Sequence, residues 1–203
     1  MSSVVDHLNG RLRRFPTWPV YLFGAMPPIW WLYHGLTGGL GPEPIKTFEH
    51  LLGELGLQAL IVTLAVTPLR RFTGVSLLKF RRALGLLAFY YIVCHLLVWL
   101  FLDVQIPSEI WKDILKRPYI TIGMAGFLLL LPLALTSNTL SIRKLGAPKW
   151  KRLHQLSYLA AILGALHFVM LAKTWHAEPL IYLAIVLALL AARLRLRPLR
   201  AVA

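Results

Sequence analysis

The chain is short of almost everything that soluble catalysis needs. It has one cysteine, Cys94, inside an apolar run, so no disulfide framework forms. Acidic residues are few: 8 Asp and Glu stand against 22 Lys and Arg, for a formal net charge of +14. The glycines at 35, 38, 39 and 41 match neither GxGxxG nor a P-loop, and no strand precedes them. No nucleophile–base–acid set, dedicated metal cluster, internal repeat or low-complexity segment is evident. The first residues, MSSVVDHLNGRLRRFPTWP, are polar and basic and lack a short apolar core with a cleavage site, so no removable signal peptide is expected.

What is abundant is apolar surface. Of the 203 residues 58% are hydrophobic, and the mean hydropathy is +0.65. A soluble domain is about 45–50% apolar. The composition is that of an integral membrane protein, and one bundle, residues 1–203 as a single domain, uses the whole length. Apolar runs fall near 18–37, 48–68, 83–102, 118–136, 153–172 and 179–193. Each approaches the roughly 17–25 residues of a spanning helix, the last being somewhat short. The expectation is an all-α bundle of six transmembrane helices.

Six spans put both ends on one side, and the basic residues choose the side. Of the 22 Lys and Arg, 17 fall in the first, third, fifth and seventh segments outside the spans, including Arg11, Arg70, Arg81, Arg82, Lys151 and Arg200. The other three segments hold Lys46, Lys112, Lys116, Arg117 and Lys173. Glu43, Asp103, Glu109, Asp113 and Glu178 lie in those same less basic loops. Both termini are therefore expected in the cytoplasm. The large positive charge is a topological signal that also suits anionic lipid headgroups, and nucleic-acid binding is excluded as its purpose. Between the third and fourth runs, Pro107 to Lys116 places Ile110, Trp111, Ile114 and Leu115 on one helical face, as in a short helix lying on the outer surface.

Ionisable groups inside the runs carry the functional signal. His95 sits within Arg81 to Trp99, and His154 and His167 within Trp150 to Ala172. A polar group at membrane depth must be satisfied by protein, and an intramembrane histidine marks a functional site by default. At 1.5 Å per residue, His95 and His167 lie about 20 and 22 Å from the inner ends of their spans, nearly level. Two imidazoles on different helices suit the two axial positions of one haem iron; the competing reading is hydrogen bonding between helices. With no CxxCH sequence, any haem is held noncovalently. Gly85, Ala88, Ala160, Ala161 and Gly164 suit either a flat macrocycle or close helix packing. Phe89, Tyr90, Tyr91 and Phe168 suit either a macrocycle edge or bundle filling. His34 and His50 read as wet residues at helix ends; Glu54, about one turn inside its span, suits the same water-exposed end or a proton or quinone role.

His154 differs. It lies only about 3 Å inside the inner face, and on a straight helix it points about 220° away from His167. Arg81 and Arg82 occupy its level on the third span, where a second histidine would complete a second pair. A histidine with cations at a helix end suits an anionic ligand such as a flavin phosphate or a lipid headgroup; a second haem with His154 is the other reading.

The stretches TPLRRFTG (67–74), RRALGLLAFYYIVCHLLVW (81–99), KRPYITIGMAGFLLLLPLALTSN (116–138) and LGAPKWKRLHQLSYLAAILGALHF (145–168) resemble the ferric-reductase-like transmembrane family. More closely they are similar to its MsrQ/YedZ branch, the haem-binding membrane subunits of the periplasmic methionine sulfoxide reductase system. The resemblance runs from Thr67 to Trp175. It implies haem b, with His95, His154 and His167 at the family's histidine positions, and an FMN, for which Arg81, Arg82 and His154 are the candidate contacts. It further implies a multi-pass protein of the bacterial inner membrane that takes electrons from the quinone pool. The recipient would be a periplasmic molybdenum-containing methionine sulfoxide reductase subunit that repairs oxidised proteins. Larger relatives carry a second histidine pair and a fused flavin and nicotinamide domain; this sequence has neither the fourth histidine nor a GxGxxG stretch. A stand-alone b-type cytochrome acting on an external metal or small molecule, and a haem-free membrane scaffold, are the alternatives.

The basic-residue asymmetry gives a first prediction. In a Cys94→Ser background, Gly39→Cys and Ser108→Cys react with an impermeant thiol reagent from outside, whereas Ser141→Cys and Ala201→Cys do not. The reverse labelling pattern would discard the orientation.

Overall fold

The computed structural model describes residues 2–171 and 176–194. Lys173, Trp175, Arg195, Arg197, Arg200 and Ala201, all used in the sequence reading, lie outside the described residues. Among the described residues every regular element is helical. They are α1 (Ser2–Arg14), α2 (Trp18–Leu36), α3 (Pro44–Thr73), α4 (Arg81–Val98), α5 (Pro107–Lys116), α6 (Pro118–Leu135), α7 (Thr139–Leu145), α8 (Ala147–Leu153), α9 (Leu156–Leu171) and α10 (Ala177–Leu194).

Among the described residues four stretches are long and apolar enough to cross a membrane: Pro44–Thr73, Leu78–Val104, Pro118–Leu135 and Ala147–Leu171. The helices α2 and α10 flank this set. α3 outruns the expected 48–68 because its ends are polar but still helical: Pro44 starts it at a position where a missing N–H costs nothing, and Gly74 closes it. α4 passes into a π-helical turn, Trp99–Val104, before the chain reverses.

Two helix pairs form the centre. α3 packs along α4, and α6 along α9. Buried Leu60, Ala88, Leu130, Leu133 and Ala160 join the two pairs across the middle. α10 closes one side against α9 and α3 through Leu57, Leu64, Ala161, Ala165 and Val186. α2 closes another against α4, where the Tyr91 hydroxyl donates to the Gly24 carbonyl and Tyr90 reaches the Ala25 carbonyl at 3.4 Å. Those two tyrosines are thus committed to helix docking.

The ends of the bundle differ in charge. One end, here the basic end, carries Arg70, Arg71, Arg81 and the α7–α8 segment; the other, the acidic end, carries Glu43, Asp103, Glu109 and Asp113. At the acidic end α5 is a helix over the expected residues, with Trp111 and Leu115 exposed. The hydrogen bond from Lys112, at 2.6 Å, holds the Glu109 carboxyl below its ordinary pKa. At the basic end α1, read in the sequence only as a polar leader, is a helix fastened to the α3–α4 turn. Asn9 Nδ2 donates to the Gly74 carbonyl at 3.0 Å, and Asn9 Oδ1 accepts from Ser76 N at 2.9 Å. Asn9→Ala removes both bonds, each worth about 1 kcal/mol. Amide exchange over residues 4–14 is expected to accelerate while α3 and α4 keep their protection; unchanged exchange in α1 would show that these bonds do not hold it.

Candidate functional site: a facing imidazole pair

α4 and α9 each carry one histidine toward the space between the two helix pairs. The rings of His95 and His167 have centroids 6.2 Å apart and planes 80° apart. Both line a cavity of about 780 Å³ that also touches α3 and α6. Each ring is held at one nitrogen. His95 Nδ1 lies 2.9 Å from the Glu49 carbonyl oxygen, and His167 Nδ1 lies 2.7 Å from the Tyr119 carbonyl oxygen. Each carbonyl accepts, so Nδ1 carries the proton in both rings, and Nε2 is left as a lone-pair donor.

Two glycines make this geometry available. A Cβ built at Gly53 on α3 would stand 3.1 Å from His95 Nδ1, and one at Gly123 on α6 would stand 2.7 Å from His167 Nδ1. Each imidazole therefore lies flat against the bare backbone of the neighbouring helix. The arrangement has a two-fold character: each histidine, on α4 or α9, rests on a glycine of the paired helix, α3 or α6, near a carbonyl of the same partner segment.

The remaining walls sort the small and aromatic residues singled out in the sequence. Ala160, Gly164 and Phe168 line the cavity. Ala88 and Ala161 are buried in helix contacts instead, and Gly85 faces Thr63. Phe89 stacks at 5.9 Å on Phe127, which lines the cavity. Toward the acidic end the wall becomes polar, with Lys46, Glu49, His50, Asp103 and Arg117. His50, read as a wet helix-end residue, is thus exposed and part of the wall. His34 is elsewhere, edge-on to Trp30 at 4.6 Å. Glu54 also lines the cavity and accepts from Gln58 at 2.7 Å and from Tyr182 at 2.9 Å, which fastens α10 to α3.

The donor set suits one class of group. No cluster of three or more His, Cys, Asp or Glu among the described residues could hold a bare metal ion. Two imidazoles suit an iron whose other four ligands come from a macrocycle. The two rings would hold such an iron through Nε2, the nitrogen that each leaves without a carbonyl partner. Their ring centres are 6.2 Å apart beside a cavity that both line.

His154 stands apart from this pair. The fifth apolar run is broken there: α8 ends at Leu153, a turn covers His154 and Gln155, and α9 begins at Leu156. The His154 ring stacks on Trp150 with centroids 3.8 Å apart. Its Nδ1 lies 3.0 Å from the Trp150 carbonyl, and its Nε2 is 3.4 Å from Ser137 Oγ. The break removes the straight-helix geometry on which the 220° offset rested. Arg81 is half-buried and turned toward Tyr158 and Arg193, whereas Arg82 is exposed.

The profile of the family described as "Ferric reductase like transmembrane component" matches residues 52–165, which takes in most of both helix pairs with His95 and His154 and ends two residues before His167. Proteins of Brucella ovis, Brucella canis and Brucella suis are each 55% identical over 178 residues, 87% of this chain and 80% of theirs. Each is named "Protein-methionine-sulfoxide reductase heme-binding subunit MsrQ". The chain belongs to the MsrQ family. Gly53 and Gly123 were not singled out in the sequence; the signal for them is a glycine within an apolar run at the depth of a histidine on the next run.

Gly53→Ala and Gly123→Ala in this MsrQ-family chain test whether ring placement matters. If the two rings hold an iron, displacing their support costs about 10–100-fold in metal affinity. Haem retained after purification is expected to fall accordingly, more for Gly123, with helicity unchanged. Full retention in both variants would show that the rings do not need the bare backbone.

Proposed function

We propose that this chain is the haem b membrane subunit of a two-component protein-methionine-sulfoxide reductase. The observation that carries the reading is the facing pair of imidazoles, each fixed at Nδ1 and open at Nε2. In this reading His95 and His167 are the axial ligands, and a bound haem supplies one-electron redox chemistry at low-spin iron. The carbonyls of Glu49 and Tyr119 hold each ring's tautomer and raise its basicity. Gly53 and Gly123 admit the rings, and Phe127, Phe168 and the aliphatic walls exclude water.

The chain would be a single domain of six spans in the bacterial inner membrane, with both termini cytoplasmic. Support comes from the four apolar stretches, from the flanking α2 and α10, and from the 17 of 22 basic residues in alternate segments. Electrons would enter from the quinone pool and leave outward to a periplasmic molybdenum-cofactor methionine sulfoxide reductase subunit. The relatives' name supports a partner reductase, and the absence of any catalytic set in the sequence leaves the substrate chemistry to that partner. The polar rim of the cavity and the exposed Trp111 and Leu115 of α5 offer the outward surface. FMN would lie at the basic end, against Arg81 and His154 with Arg82 at its exposed edge. Cations without a carboxylate partner there suit a phosphate.

His95→Ala or His167→Ala is expected to abolish the low-spin b-type absorbance while the protein still inserts. His34→Ala, His50→Ala and His176→Ala are expected to keep it. A normal spectrum in His95→Ala, or its loss in any of the second group, would refute the pairing. Reoxidation of the reduced protein only when the partner is added separates the two-component reading from a stand-alone cytochrome.

A further inference from the structure

Two guanidinium groups meet at the basic end of the bundle. Arg81 opens α4, Arg193 lies in the last turn of α10, and both turn to Tyr158 on α9. Arg193 Nη1 donates to the Tyr158 hydroxyl at 2.9 Å, and its guanidinium carbon stands 5.1 Å from the ring centre. Arg193 Nη2 donates to the Leu64 carbonyl. That carbonyl is open because the residue four positions on is Pro68, which has no N–H to offer it. Arg193 Nε is buried and has no hydrogen-bond partner.

These bonds satisfy donors but leave the charge uncompensated. Among the described residues neither guanidinium is ion-paired with a carboxylate. The ion pairs Lys46–Glu43, Lys112–Glu109 and Arg117–Asp113 are at the acidic end. Of the eight acidic residues only Asp6, exposed on α1, belongs to the basic end. Two like charges held together away from bulk water cost free energy unless an anion joins them. A guanidinium fork matches the oxygens of a phosphate with two parallel bonds.

We propose that Arg81, Arg193 and Tyr158 form a binding site for one phosphate-type anionic group. Arg193 is anchored through Nη1 and Nη2, so Nε is the donor it has left to offer, and Arg81 completes the clamp from the opposite helix. The Tyr158 hydroxyl accepts from Arg193 and keeps its own proton to donate. Two carriers share this chemistry: a flavin mononucleotide, in which case the proposal deepens and rests on the flavin reading above, and a phospholipid headgroup, in which case it stands without it. Arg193 was counted in the sequence only as a basic-end charge.

The test uses the full-length holoprotein in detergent, titrated with FMN and with riboflavin, which lacks the phosphate. Wild type is expected to prefer FMN by about tenfold or more, the worth of one charge-assisted bond. Arg81→Gln and Arg193→Gln are expected to lose the preference, and Arg143→Gln, exposed on α7, to keep it. If FMN and riboflavin bind alike, native mass spectrometry from phosphatidylglycerol nanodiscs reads the other source: one tightly held lipid per chain, lost in the same two variants, supports the site with a lipid occupant. If neither the FMN preference nor a bound lipid depends on Arg81 and Arg193, the proposal is overturned. Should Arg193→Gln fail to fold, Arg193→Lys keeps a charge and a donor for the Leu64 carbonyl but loses the fork, and it is read in the same way. The haem absorbance of each variant reports the imidazole pair independently, so failure there and failure here are distinguishable.

Discussion

An imidazole inside a bilayer has two nitrogens to satisfy, and this bundle satisfies one of each pair with backbone. The Glu49 and Tyr119 carbonyls fix Nδ1 of His95 and His167, which leaves both Nε2 atoms as acceptors on rings that line one cavity. Helix packing follows from that requirement. The α3–α4 and α6–α9 pairs approach until a ring lies on the backbone of its neighbour, an approach that a side chain at 123 would block and one at 53 would crowd. The cavity between the pairs is the volume that two rings, so held, keep the four helices from filling.

The same logic governs the rest of the chain. Glu54, Gln58 and Tyr182 satisfy one another where α10 meets α3. Leu64, deprived of its helical donor by Pro68, takes one from Arg193. Tyr90 and Tyr91 spend their hydroxyls on α2. Polar groups within the apolar stretches either join two helices, as these do, or bond back to their own helix, as Thr63 does to the Ala59 carbonyl, which is what a solvent without hydrogen bonds demands. Charge is handled separately, gathered at the ends: carboxylates and their ion pairs at one, arginines at the other.

Depth was legible in the sequence and direction was not. Counting residues from the span ends put His95 and His167 level, because rise per residue is constant along a helix. The membrane stretches stood out because apolar runs of that length have no other use in so hydrophobic a chain, and α5 stood out because its apolar face repeats at helical spacing. Which way a side chain turns depends on the neighbouring helix, and one sequence does not name its neighbours. Gly53 and Gly123 escaped notice for that reason, as did Arg193 with Tyr158. The break at His154 escaped because hydropathy does not register a two-residue turn inside an apolar run. The helical state of α1 escaped because its stability comes from Asn9 bonding a turn more than sixty residues away.

The central claim is that two imidazoles, with planes near perpendicular, ligate one iron from opposite sides. Low-temperature electron paramagnetic resonance of the ferric protein addresses it directly. The 80° between the rings predicts a strongly anisotropic low-spin signal, the signature of near-perpendicular imidazole planes. A high-spin signal, or a rhombic low-spin signal of parallel planes, would contradict the account.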